Sequence, residues 1–284
     1  MRITIITIFI FLCLITGSFG EKSPDTREST LNSLYELGIL TERFSNSGVM
    51  IHDLVAQLTD ASENRAIAGV LSDLFDEAPL ERWAKESISR NFRMDEASQL
   101  LRYAQENDLH AFMHLIYAGN IDFDDENMQD ALQRFLIQLD DDPLGEDRFQ
   151  LITGIIQKTR MLQIQVQMIE DVITTVIFAL NVSLAEEERL SDREVNELVV
   201  TLRLNFRELF NNVLPLTLLF ATRDIPLETL EKHSTFFDSD SGRWFIRTIN
   251  TAALDSFGEF TQVASAEIAE WMLTQTEIQA NEQD

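Results

Sequence analysis

The chain is poor in the residues that break, cross-link or redirect a backbone. Among 284 residues there are 10 glycines, 5 prolines, 3 tyrosines and a single cysteine, Cys13. So few Gly and Pro exclude a turn-rich sandwich or barrel of short strands. Basic residues are also scarce: 22 Lys and Arg stand against 48 Asp and Glu, giving a formal net charge of −26. Such a chain is repelled by nucleic acid and by anionic membrane surfaces. The excess charge serves solubility, with basic partners or divalent cations as the sharper alternative.

Residues 1–20, "MRITIITIFIFLCLITGSFG", follow the order of a secretory signal peptide. Arg2 precedes an apolar run from Ile3 to Ile15, and small residues stand at Ser18 and Gly20. Cleavage is expected after Gly20, placing the mature protein in the periplasm or outside the cell, without stable membrane insertion. Cys13 follows Leu12 inside the apolar run, not the small residues of a lipoprotein acceptor. Its loss with the leader leaves no disulfide and no thiolate metal ligand. The roughly 264 residues that remain are enough to bury about 70–75% of their unfolded surface, so cross-links are not needed.

Helical periodicity fills the stretches between the rare breakers. In "MDEASQLLRYA", Met94, Ala97, Leu101 and Ala104 recur on one face. Ser191 with Glu194 forms a capping-box pattern opening a helix toward Leu198, Leu202 and Phe206. Pro226 behind Asp224 starts another. "IQVQMI", Ile164 to Ile169, alternates like a strand, but lies in a run without Gly or Pro from Ile155 to Val182. That length favours helix. "VITTVIFALNV", Val172 to Val182, is apolar on nearly every side and too short for a membrane span, so it is expected as a buried helix. The class is all-α, a helical bundle.

Charge, Pro and Gly concentrate in "DDDPLGED", Asp140 to Asp147, dividing the chain into helical halves at 21–140 and 146–284. An offset of 133 residues aligns Phe92–Ile116 with Ile225–Ile249. It sets Tyr103 opposite Phe236, Phe112 opposite Phe245, and Leu100 opposite His233. Two related halves packed together are the expectation, with Leu109 opposite Gly242 as a mismatch.

One short stretch asks for a chemical reading: "FFDSDSGRWF", Phe236 to Phe245. An EF-hand loop needs Gly sixth and an acidic residue twelfth. Counted from Asp238, Gly242 is fifth and Ile249 twelfth, so a corner between two helices is expected instead. Phe236 and Phe237 would anchor the first helix, Ser239 would cap the second, and Gly242 would permit a close approach. Neither Asp238 nor Asp240 has a role in that picture. Leu230, Phe236, Phe237, Ser239 and Gly242 stand where the C-terminal hairpin of a bacterial secreted family, domain of unknown function 2059, carries Leu-x-x-x-x-x-Phe-Tyr-x-Ser-Pro-x-Gly. The segment 224–253 thus resembles that hairpin, with Phe237 in place of Tyr and Asp240 in place of Pro. The resemblance implies an all-helical periplasmic protein and supplies no reaction.

Other candidates weigh lightly. Asp122, Asp124, Glu126 and Asp130 have calcium-like spacing, but Asn127 and Gln133 occupy the sixth and twelfth places. An acidic first turn of a helix accounts for them. His110 and His114 are one helical turn apart and could share zinc, without the adjacent Glu of a metalloprotease or a third ligand nearby. His233, between Leu230 and the phenylalanine pair, reads as a buried histidine with a hydrogen-bond partner, or less favourably as a pocket residue. Asn181 begins a glycosylation acceptor, Asn-Val-Ser. No nucleophile elbow, phosphate loop or dinucleotide fingerprint is present, so neither enzyme activity nor a cofactor is expected. A non-catalytic protein that binds another, unknown protein is the first reading. The alternative is a carrier or sensor of a small apolar ligand, resting on the 19 phenylalanines and Val172–Val182.

Overall fold

The computed structural model describes residues 26–45, 77–118, 126–141, 145–183 and 189–282. The leader, Asp122 and Asp124 lie outside the described residues. Every element among the described residues is helical. In chain order they are α1 (Thr26–Leu37), α2 (Glu77–Arg90), α3 (Met94–Asn107), α4 (Leu109–Ala118) and α5 (Glu126–Asp141). Then come α6 (Gly145–Thr159), α7 (Met161–Ser183), α8 (Asp192–Ala221), α9 (Leu227–Phe237) and α10 (Asp240–Glu282). A further helical stretch covers 40–45.

Helix α10 is the hub. It packs against α2, α3, α7 and α9, and its Phe245, Ile249, Phe257 and Phe260 are buried in the main core. That core draws on residues from both sides of 140–147, from Leu34 through Met113 to Ala264. Polar ties pin the hub in place. Trp244 Nε1 donates to the Asn91 carbonyl at 3.0 Å. Asp255 accepts from Ser87 Oγ at 2.6 Å and pairs with Arg90 at 2.7 Å. Arg43, buried, lies 4.4 Å over the Tyr117 ring and donates to Asn250, whose amide donates to the Thr159 carbonyl at 2.8 Å.

Three helix breaks use a left-handed residue that is not glycine: Ile39, Asp108 and Arg160, with φ of 51°, 50° and 54°. Each such residue costs about 1–2 kcal/mol, which the packing around it must outweigh. At Asp108 the backbone N–H returns to the Ala104 carbonyl, the αL closure of a helix end.

The expected helix at Ile164–Ile169 is there, within a run from Ile155 to Val182 that breaks only at Arg160, where α6 gives way to α7. Three sequence expectations need correction. The buried face of α3 centres on Ala97 and Leu100, and Met94 is 44% exposed. Ala97 and Ala104 of the expected face do meet the core, joined there by Leu100 and Tyr103. Val172 to Val182 is not buried on all sides. Val172, Ile173 and Ile177 are covered, whereas Phe178 is 44% exposed, because α7 has helical neighbours on only part of its circumference. Asp238 does have a partner, described below. No helix among the described residues is long and apolar enough to cross a membrane.

Candidate functional site

The stretch from Phe236 to Phe245 is a corner two residues long. Helix α9 ends at Phe237, Asp238 and Ser239 connect, and α10 begins at Asp240. Ser239 holds both sides. Its hydroxyl donates to the Phe236 carbonyl at 2.7 Å and accepts the Gly242 N–H at 3.0 Å. One orphan group from each helix end is thereby satisfied. Gly242 is required for closeness rather than for an unusual dihedral, since no glycine among the described residues has positive φ. A Cβ built there would lie 2.0 Å from the Phe236 carbonyl oxygen.

The phenylalanine pair and Leu230 anchor α9. Phe237 and Leu230 are fully buried, and Phe236 stacks on Tyr103 with centroids 3.8 Å apart. Phe237 also meets the Phe112 ring at 6.3 Å. His233 is 1% exposed, stacked on Phe112 at 4.2 Å, with its Nδ1 3.2 Å from the Tyr103 hydroxyl. Burial pulls its pKa down to about 4, against a smaller upward pull from Asp108. Burial likewise pushes the Tyr103 hydroxyl up to about 12. The imidazole is therefore neutral in neutral solution, held as an aromatic wedge with one polar contact.

Lys158, from α6, reaches the last turn of α9. Its ammonium lies 2.8 Å from Ser234 Oγ, 3.1 Å from the Ser234 carbonyl and 2.6 Å from Asp238 Oδ2. A lysine beside a serine hydroxyl invites a nucleophile–base reading. Here three acceptors surround the ammonium, the setting of a donor, and Ser234 is 6% exposed. The lysine braces the α9 terminus, where a cation is favourable. Asp238 thus takes part in the corner through Lys158, while Asp240 only pairs with exposed Arg243 at 2.7 Å. Spacing could not reveal this brace, because Lys158 and Ser234 are 76 residues apart.

His110 and His114 are exposed on α4. No group of three His, Cys, Asp or Glu that could hold a metal occurs among the described residues. The Asn181 amide is engaged at the α7–α8 connection, donating to the Leu190 carbonyl at 2.9 Å and accepting its N–H at 2.7 Å.

A different kind of feature lies on α8. Its N-terminus carries the capping box, with the Ser191 hydroxyl accepting the Glu194 N–H and the Glu194 carboxylate accepting the Ser191 N–H. Those bonds hold the Glu194 carboxyl below its ordinary pKa. Val195 and Val199 form a second core with Ile169, Ile173 and Ile177 of α7, joined by Leu202, Phe206 and Phe210. Arg203 bonds Glu170 across the pair at 3.0 Å. Beyond that seam the apolar pattern continues into solvent. Leu198 is 37% exposed, Leu204 55%, Leu209 52% and Leu216 36%. From Leu209 to Thr222 there is no ionisable side chain, in a chain that is 25% charged. Comparison of the chain with family models, curated proteins and solved structures returns no match.

Proposed function

We propose a non-catalytic, secreted or periplasmic helical protein that binds another protein through the uncovered side of α8. One observation carries the reading: Leu209 and Leu216 remain exposed along the uncharged stretch from Leu209 to Thr222, whose Leu214, Leu218 and Leu219 are already packed in the main core. Leaving such a stripe in water forfeits the burial that other large apolar groups of this chain obtain, and contiguous apolar surface of that kind marks binding sites. The polar clusters point the same way. Lys158, Ser234, His233 and Tyr103 are committed to bracing α9, and no set of them presents a nucleophile with a free base.

Secretion rests on the order of residues 1–20 and on the resemblance of 224–253 to the secreted family's hairpin. Kinship of the two halves is part of the same proposal. It is supported by α3 and α9 starting at aligned positions, Met94 and Leu227, and touching through Tyr103 and Phe236. For the apolar-ligand carrier, the phenylalanines lend little support. Phe237, Phe245, Phe257 and Phe260 are spent on the buried core.

The reading is tested by capture with immobilised protein in extracts of the native host, using wild type and Leu209→Glu as baits. A partner, of the same or another sequence, held by wild type and released by the variant is the expected result. A partner held equally by both, or none at all, overturns it.

A further inference from the structure

Resting on that binding reading, we infer that the partner on this face is a second copy of the same chain, docked along α8 in register. The sequence of α8 has a seven-residue repeat that its packing against α7 uses only in part. Val195, Leu202, Leu209 and Leu216 are seven apart. Leu198, Asn205, Asn212 and Leu219 are also seven apart, each three residues after a member of the first set. That is the a/d spacing of a helix–helix seam.

The fold already uses three of the eight positions of this seam. Val195 is 1% exposed and Leu219 is fully buried, and Leu202 leans on the α7 core. Between them, Leu198, Asn205, Leu209, Asn212 and Leu216 are exposed. The open stretch from Leu198 to Leu216 spans about 27 Å at about 1.5 Å per residue.

Charge and hydrogen bonding select the occupant. Chains carrying −26 repel one another, so copies can approach closely only where the contact itself is uncharged. None of the eight seam positions is ionisable. On the α7 side the flanking residues Val199, Phe206 and Val213 are also uncharged, so Glu194 and Glu208 on the other flank meet no like charge across the seam. Asn205 and Asn212 then decide the register. In a parallel two-fold pair each amide faces its own equivalent, which supplies both a donor and an acceptor. Each leucine likewise faces a leucine. An antiparallel or wholly apolar partner would bury the two amides against leucine, at the cost of an unpaired polar group.

The experiment is light scattering on the purified mature chain at about 50 µM, with circular dichroism as the control for folding. The wild type is expected to be a dimer, and Leu209→Glu a monomer with unchanged helical signal. Asn205→Cys, in a chain otherwise without cysteine once the leader is gone, is expected to form a covalent dimer on mild oxidation. A monomeric wild type, a dimer indifferent to Leu209→Glu, or a dimer that Asn205→Cys cannot cross-link overturns the inference. A monomeric wild type that nonetheless captures a different protein, lost in Leu209→Glu, overturns it while leaving the binding reading intact.

Discussion

The hairpin at α9–α10 and the hairpin at α7–α8 are built from similar material and end differently. Both are helix pairs rich in Leu and Phe, each held at its connection by a polar side chain. In the first, Leu230, Phe237 and Phe245 are sealed against the rest of the molecule. In the second, α7 and α8 share a small core of their own, and leucines on α8 stay in water. An apolar residue on a helix is therefore not by itself a statement about stability. What lies opposite decides whether it contributes to the fold or is left in water.

The sharpest way to break this contrast is to truncate one large side chain from each hairpin. Phe237→Ala is expected to destabilise by about 3–5 kcal/mol, since it empties a fully buried site between α4 and α9. Leu209→Ala, at 52% exposure, is expected to stay within about 0.5 kcal/mol. Equal losses in chemical denaturation would erase the distinction.

Gly242→Ala comes next, at about 2–3 kcal/mol. The added methyl meets a backbone oxygen at 2.0 Å, so the corner must open to admit it. A thermal midpoint unchanged from wild type would show that the close approach is not required.

His233 offers a pH-dependent test of the same region. Its folded pKa, about 4, lies below the ordinary 6.5, so the unfolded chain binds the extra proton in between. Its contribution to stability is complete above about pH 6.5 and is lost as the pH falls toward 4. The loss amounts to about 2–3 kcal/mol on top of what the carboxylates contribute. His233→Leu should make the acid branch of the stability curve shallower in that window. Parallel curves for variant and wild type would refute the burial argument.

The smallest effects belong to the connection itself. Ser239→Ala should cost about 1 kcal/mol as a lost cap, and Asp238→Asn less, through the weakened Lys158 brace. Asp240→Asn should be silent in thermal melts. A large loss at Asp240 would mean that the corner is held by something other than Ser239 and Gly242.

What could be read in advance was local. The capping box at Ser191 and Glu194 and the corner at Ser239 and Gly242 are fixed by residues three apart, so spacing in the chain is spacing in space. The helical class followed from the scarcity of breakers. Most of what the sequence concealed is long-range. Tyr103 and His233 are 130 residues apart, and Lys158 and Asp238 meet only because α6 and α9 pack together. The breaks at Ile39, Asp108 and Arg160 were hidden for another reason. Tertiary packing holds ordinary residues in a conformation for which glycine is the usual signal. The uncovered side of α8 could not be separated from its packed side, because both are apolar and only the position of α7 distinguishes them.

The central place of α10 bears on when the protein can fold. Its core residues, from Trp244 to Ala264, come later in the chain than every helix they pack against. Helices α2 and α3 can pack early only on α1 and α4, and the faces they turn to α10 wait for some 150 further residues, given that Asn91 meets Trp244 across 153 positions. Closure of the main core therefore waits for the Phe245–Phe260 segment. So late a keystone is a built-in delay: the main core can lock only once nearly the whole chain has been made.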